Sequence, residues 1–150
     1  MHPFAPNCPD SAPAPGREFA GLNVLVVDDV PAIRRMLVLM LRHLGVKGLI
    51  REAGDGREAL ERLEKQPFDL VICDINMPRM NGLELLHRLK ASPRLETTPV
   101  LLITGEVSQE IAARAALREV DSYLPKPFQV KTLEIHLRQI LRSLSRPPER

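Results

Sequence analysis

The chain has 150 residues, 44% hydrophobic and 27% charged, with a formal net charge of +2 at pH 7. That length implies one domain with a core of its own. The near-neutral balance and an aromatic content of 3% exclude a nucleic-acid surface built on a basic patch and stacking rings. Cys8 lies in a Pro-rich tail and Cys73 in an apolar run, so neither a disulfide framework nor a metal-ligand pair is indicated, and the reducing cytoplasm fits. No segment is apolar for long enough to span a bilayer, and the N-terminus lacks the charged-then-apolar order of a signal peptide.

Residues 1–19 carry Pro3, Pro6, Pro9, Pro13 and Pro15 and read as a disordered extension with polyproline character. Leu22 to Val27 is a nearly unbroken apolar run that ends in Asp28 and Asp29, the pattern of a strand buried on both faces. Pro31 then suits the first turn of a helix carrying Ile33, Met36, Leu37, Met40, Leu41 and Leu44, with Gly45 as its stop. Residues 48–53 predict a short strand, polar enough to lie at an edge. Gly54-Asp55-Gly56 turns into a helix with Ala59, Leu60 and Leu63. A second strongly apolar strand, 69–73, also ends in a carboxylate, Asp74. The loop Asn76 to Gly82 leads into a helix with Leu83, Leu86 and Leu89, and residues 99–103 form a strand ending at Thr104-Gly105. An Ala-rich helix is expected over 109–117 and the last strand over 120–124, ending at Pro125-Lys126-Pro127. The final helix carries Val130, Leu133, Leu137, Ile140, Leu141 and Leu144, and a flexible tail occupies 145–150.

Strands alternating with helices at this pitch predict βαβ units and a parallel sheet covered on both faces. In open sheets of this kind a ligand sits outside the carboxyl ends of the strands, where the strand order reverses. Asp28, Asp29, Asp74, Thr104 and Lys126 all fall at predicted carboxyl ends. Neighbouring carboxylates at Asp28 and Asp29 repel by roughly 1 kcal/mol in water, so without a cation one of them is expected to shift toward its protonated form. Three carboxylates and one ammonium converging on a crevice suit a hard divalent cation, Mg²⁺ above all, and a phosphoryl group bridging the cation and Lys126. Thr104 offers a hydroxyl to a further phosphoryl oxygen. One carboxylate in such a site can itself be the nucleophile, forming an aspartyl-phosphate.

The set Asp28-Asp29, Asp74-Ile75-Asn76-Met77-Pro78, Met80-Asn81-Gly82, Thr104 and Lys126-Pro127-Phe128 resembles the receiver domains of two-component response regulators. The resemblance covers residues 20–144 and implies a flavodoxin-like, doubly wound, five-stranded parallel sheet of order 2-1-3-4-5. It implies that Asp74 is the phosphoacceptor. Asp29, Asp74 and the backbone carbonyl of Asn76 would hold Mg²⁺, with Asp28 acting mainly through bound water. Lys126 would pair with phosphoryl oxygens, Thr104 would swing toward the phosphate, and Tyr123 would move from exposed to buried in step. Lys126-Pro127 is expected cis. Asn76 and Glu106, two residues after Asp74 and Thr104, would flank the attacking water and set a short phosphoryl lifetime.

The same resemblance implies a sensor histidine kinase or histidine phosphotransfer protein as phosphodonor. The output face would be built from the fourth helix, last strand and last helix, where Ile111, Ala115, Tyr123, Lys131 and Leu133 lie in or near it. The downstream protein target is not named by the sequence, and the resemblance leaves room for a phosphorylation-dependent dimer. No output domain follows Leu144, so a stand-alone regulator of chemotaxis or phosphorelay type is expected, not an enzyme beyond its own phosphorylation and dephosphorylation. Two departures stand out, Glu119-Val120 where the family often has Gly-Ala, and Gly105 where it commonly has Ala.

Plainer readings compete. Paired Asp residues after a strand can cap a helix, Tyr123 can be half-buried packing, and Cys73 is expected as a small core hydrophobe. His43, His87 and His136 sit at unrelated spacings and read as solvent-facing or boundary residues. Gly54-Asp55-Gly56-Arg57-Glu58-Ala59 imitates a dinucleotide-binding turn, but Arg51 and Glu52 make its strand peripheral. An aspartate-nucleophile phosphohydrolase of the haloacid dehalogenase type needs an Asp two residues after the nucleophile, where this chain has Asn76 or Val30. A phosphorylation-independent scaffold is the third reading.

Overall fold

The computed structural model of the protein describes residues 17–105 and 122–145. Expectations for Glu106, Ile111, Ala115, the helix over 109–117 and Glu119-Val120 fall outside those residues, as do 1–16 and 146–150. Five strands form one sheet: β1 (Val24–Val27), β2 (Ile50–Ala53), β3 (Leu70–Asp74), β4 (Val100–Thr104) and β5 (Ser122–Pro125). All neighbours are parallel and the order is β2-β1-β3-β4-β5. The described helices are α1 (Pro31–His43), α2 (Gly56–Lys65), α3 (Gly82–Lys90) and α4 (Val130–Ser145).

The two-residue side-chain period of a strand explains why the sheet needs helices on both sides. Leu25, Val27, Val71, Cys73, Val100 and Leu102 face the core beneath α2 and α3. Val24, Val26, Leu70, Ile72, Leu101, Ile103 and Leu124 alternate with them and face the core beneath α1 and α4. The two edge strands break the pattern: β2 exposes Arg51 and Glu52, and β5 is partly buried and exposes Pro125.

Helix ends follow their local chemistry. The α1 helix closes with Gly45 at φ 105°, where Val46 N–H donates to Leu41 carbonyl and Gly45 N–H to Arg42 carbonyl. Those two bonds satisfy carbonyls that the last turn leaves open, and a left-handed φ there favours glycine. Asp55 caps α2 by accepting the Glu58 N–H at 2.9 Å, so the Gly54-Asp55-Gly56 turn is a helix cap. Asn81 and Glu84 form a reciprocal capping box on α3.

The core starts earlier than the sequence pattern implied. Arg17–Phe19 form a 3-10 turn, and Phe19 is fully buried against the α1/α4 side of the sheet. Arg138 on α4 stacks 5.4 Å over the Phe19 ring and pairs with Glu18 and Glu134. Phe19 falls inside the stretch expected to be disordered because its Pro-rich context masks a single aromatic anchor. A second correction concerns the output face: Leu133 is fully buried in the core, while Lys131 is exposed and Tyr123 half-buried. Leu133 shares the apolar stripe of Leu137 and Ile140, and a helix places that whole stripe inward.

Candidate functional site

The strand order reverses at β1 and β3, which leave for opposite sides and open a crevice at their carboxyl ends. Asp28 and Asp29 follow β1, and Asp74 is the last residue of β3. Oxygens from these three carboxylates lie within 4.8 Å of one another. Asp28 and Asp74 are buried, and Asp29 is exposed. Lys126, just past β5, reaches past β4 to place Nζ 3.1 Å from Asp74 Oδ1 and 3.8 Å from Asp28 Oδ2. Its backbone N–H donates to the Thr104 carbonyl at 2.7 Å, which ties the end of β5 to the end of β4. The following Lys126–Pro127 peptide bond is cis.

Each acid has its own environment. Asp28 Oδ1 accepts the Val30 N–H at 2.9 Å, and its Oδ2 is buried without a hydrogen-bond partner among the described residues. The helix-entry role and the site role of Asp28 therefore coexist, one on each carboxylate oxygen. Burial, more than any neighbour, lifts the Asp28 and Asp74 carboxyls above the ordinary carboxylate range. Lys126 pulls both back down. The Asp28–Asp29 repulsion expected from the sequence acts in the stated direction, but its effect on Asp28 is smaller than burial and smaller than that of Asp74. Loss of hydration outweighs adjacency because Asp29 remains in water.

A buried carboxylate oxygen with no hydrogen bond among the described residues, beside two further carboxylates, makes a hard, oxygen-only donor set, and it fits Mg²⁺. Asn76 is exposed in the loop after β3. Thr104 is buried at the end of β4, next along the chain from Ile103, which pairs with Asp74. Tyr123 packs against the α2/α3 side of the core from β5, in register with Leu102. Thus Asp28, Asp29, Asp74 and Lys126 converge, Thr104 borders them, and Tyr123 stands farther back along β5.

The backbone around Asp74 is tightly enclosed. Gly82 N–H donates to the Ile75 carbonyl at 2.9 Å, and a Cβ on Gly82 would lie 2.5 Å from the Asp74 carbonyl oxygen. Cys73 is buried beneath, its thiol pushed up by burial, and contributes packing to the core. Two residues escaped the sequence reading. Arg34 contacts the Asp28 backbone, and Arg79, at φ 65°, pairs with the Asp55 cap at 2.7 Å. Neither belongs to a pattern of period or charge that a linear reading detects. His43 and His87 are exposed, whereas His136 is partly buried with Nδ1 2.5 Å from Ser122 Oγ.

A five-stranded parallel sheet of this order, with three acids and a lysine gathered at its switch point, defines a domain of the doubly wound α/β class. The family model for the response regulator receiver domain matches residues 24–138, and the chain belongs to that family. It is 41% identical over 123 residues to the Vibrio cholerae chemotaxis protein CheY-3, covering 82% of this chain and 94% of that one. Against the chemotaxis protein CheY of Pseudomonas aeruginosa it is 37% identical over 119 residues, covering 79% and 95%. The solved Vibrio cholerae CheY4 structure superposes with a TM-score of 0.73 at 36% identity, covering 81% and 99%. A receiver domain from a Syntrophus aciditrophicus histidine kinase superposes at 0.75 with 29% identity, covering 87% and 97%. The protein is accordingly a response-regulator receiver of phosphorelay signalling, and the phosphohydrolase alternative is left without support. Among the described residues, no helix is long and apolar enough to cross a membrane.

Proposed function

We propose that Asp74 accepts a phosphoryl group from a phosphohistidine on a sensor kinase or a histidine phosphotransfer protein. The observation that carries this reading is the Lys126 ammonium 3.1 Å from a buried Asp74 carboxylate flanked by two further acids. Asp74 lies at the end of a central strand, so its carboxylate is held by the sheet while remaining reachable from the crevice. One of its oxygens attacks phosphorus, the P–N bond breaks, and its electron pair leaves with the donor imidazole. Lys126 opposes the effect of burial on Asp74, favouring the ionised nucleophile, and then faces the oxygens of the transferred group.

Asp28, Asp29, Asp74 and the Asn76 backbone carbonyl would hold Mg²⁺, Asp28 through water. The bound cation supplies countercharge to the phosphoryl oxygens. Thr104 borders the acceptor and offers a hydroxyl to the new acyl phosphate. Its contact with the Lys126 backbone links that event to β5, where Tyr123 is the second switch residue. The readout surface comprises β5 and the exposed side of α4. It takes a downstream protein, not nucleic acid or membrane, through a coupling of order 1–3 kcal/mol. Asn76 and Glu106 tune hydrolysis of the phosphoryl group, and the only turnover is that of the protein's own acyl phosphate. The high coverage of the chemotaxis relatives supports a stand-alone regulator, and its site of action in this reading is the cytoplasm.

Incubation with acetyl phosphate, with and without Mg²⁺, followed by mass mapping tests the reading. The expected result is one phosphoryl group on Asp74 that requires the divalent cation and is absent from Asp74→Asn. A label on another residue, or one indifferent to chelation, overturns it.

A further inference from the structure

Arg34 belongs to none of the recognised motif positions, yet it is fixed at both ends of its guanidinium. Its Nη1 donates to the backbone carbonyl of Asp28 at 2.6 Å, and its Nε donates to Glu52 Oε1 at 3.0 Å. Glu52 sits on the edge strand β2 opposite Val26, so the guanidinium bridges β2 to the turn leaving β1. The Arg34 side chain is only 19% exposed although Glu52 is 44% exposed, so the bond to Asp28 is the sheltered anchor and the Glu52 pair the solvated one.

The carbonyl that Arg34 grips belongs to the peptide unit joining Asp28 to Asp29. A peptide unit is planar, so fixing its oxygen fixes the plane from which both carboxylates hang. Asp28 is then held at three atoms: its N–H by the Ala53 carbonyl at 3.1 Å, its carbonyl by Arg34, and its Oδ1 by the Val30 N–H. Asp28 Oδ2 is left buried and, among the described residues, without a hydrogen bond, 3.8 Å from Lys126 Nζ. The N-cap of α1 is Val30, whose apolar side chain makes no capping hydrogen bond.

We propose that Arg34 is a positioning residue for the cation site, orienting Asp28 and Asp29 through their shared peptide plane. The inference rests on the reading of the acid cluster as a Mg²⁺ site. Two opposing effects give it a signed test. A guanidinium near the cluster repels a cation, so as a mere charge Arg34 weakens Mg²⁺ binding and its neutralisation tightens it. As an orienting donor it strengthens binding, and groups that orient metal ligands typically account for tenfold or more in affinity.

The experiment is isothermal calorimetric titration of the full chain with Mg²⁺ alone, paired with thermal melts of the metal-free proteins. Arg34→Met removes charge and donors, whereas Arg34→Gln removes the charge and keeps an amide donor. Arg34→Met is expected to weaken Mg²⁺ by about tenfold, with Arg34→Gln recovering part of the loss. A role confined to stability would lower the melting temperature and leave the affinity of the folded protein unchanged, which overturns the proposal. Tighter binding by both variants overturns it as well. If Arg34→Met does not fold, Arg34→Gln decides alone: weaker binding supports the proposal, and unchanged or tighter binding sinks it. Asp29→Asn separates the two readings, since wild type failing to bind Mg²⁺, or Asp29→Asn binding as wild type, refutes the cation site itself.

Discussion

Lys126 Nζ lies 3.1 Å from Asp74 Oδ1, an ion pair between residues on opposite sides of β4 that only the completed sheet brings together. A charge-assisted hydrogen bond of this kind contributes about 1.5–3 kcal/mol. If the ammonium serves the transferring group as proposed, Lys126→Met slows acetyl-phosphate labelling by roughly tenfold to a hundredfold. Mg²⁺ binding persists, because the three acids remain. Initial labelling rates measure this, and a rate within about twofold of wild type would remove Lys126 from the chemistry.

Asp28 presents the reverse case, a charge that folding disfavours. Its carboxyl is raised above the ordinary range by burial, so the folded state holds its proton to higher pH than the unfolded chain does. Stability from this group is present below the unfolded value and is lost as pH rises through the folded one. Asp28→Asn should therefore raise the melting temperature of the metal-free protein at pH 8, and the gain should shrink as pH falls toward the carboxylate range. Mg²⁺ at a hundred times its Kd should stabilise wild type by about 2.7 kcal/mol, and the variant by less. Thermal melts in chelator and in excess Mg²⁺ read both effects; a variant less stable than wild type in chelator at pH 8 refutes the first.

Asp55 has the opposite sign. Its bond from the Glu58 N–H, joined by the charge of Arg79, holds its carboxyl below the usual range against the opposing pull of burial. The stability it contributes is present above the unfolded value and is lost as pH falls through the folded one. Asp55→Ala should cost about 1 kcal/mol at pH 7 through the lost cap. The exposed Arg79 pair adds little to this. Urea denaturation at pH 7 and at pH 3 should show the gap between the two proteins closing in acid.

Gly82 separates helix propensity from packing. Replacing Gly by Ala in a helix ordinarily gains up to about 1 kcal/mol. Here the new Cβ would meet the Asp74 carbonyl oxygen at 2.5 Å and Ile75 Cα at 2.9 Å, both backbone atoms that cannot swing aside. Overpacking of this kind costs about 1–3 kcal/mol, so Gly82→Ala is expected to be destabilising and to displace the acceptor strand end. Denaturant melts together with labelling rates test it, and a variant as stable and as readily labelled as wild type would show that the α3 entrance yields.

Much of the fold could be read from side-chain period. Alternating apolar residues in β1, β3 and β4 demand a sheet covered on both faces, and Arg51 and Glu52 mark β2 as an edge. Phe19 and Leu133 were harder, the first because one anchor leaves no period and the second because family likeness placed it on a surface that its own helical spacing contradicts.

Residue types and their order along the chain determined that three acids and one amine stand at strand ends, because strand ends are local features of pattern and punctuation. Tertiary structure decided how those groups divide their labour. Asp28 gives one oxygen to the turn that enters α1 and turns the other to the crevice, and Arg34 grips the peptide between the two acids. Burial outweighs the repulsion between adjacent charges. Such outcomes depend on hydration and on ångström distances between atoms remote in sequence, and those quantities exist only once the register of the sheet is set.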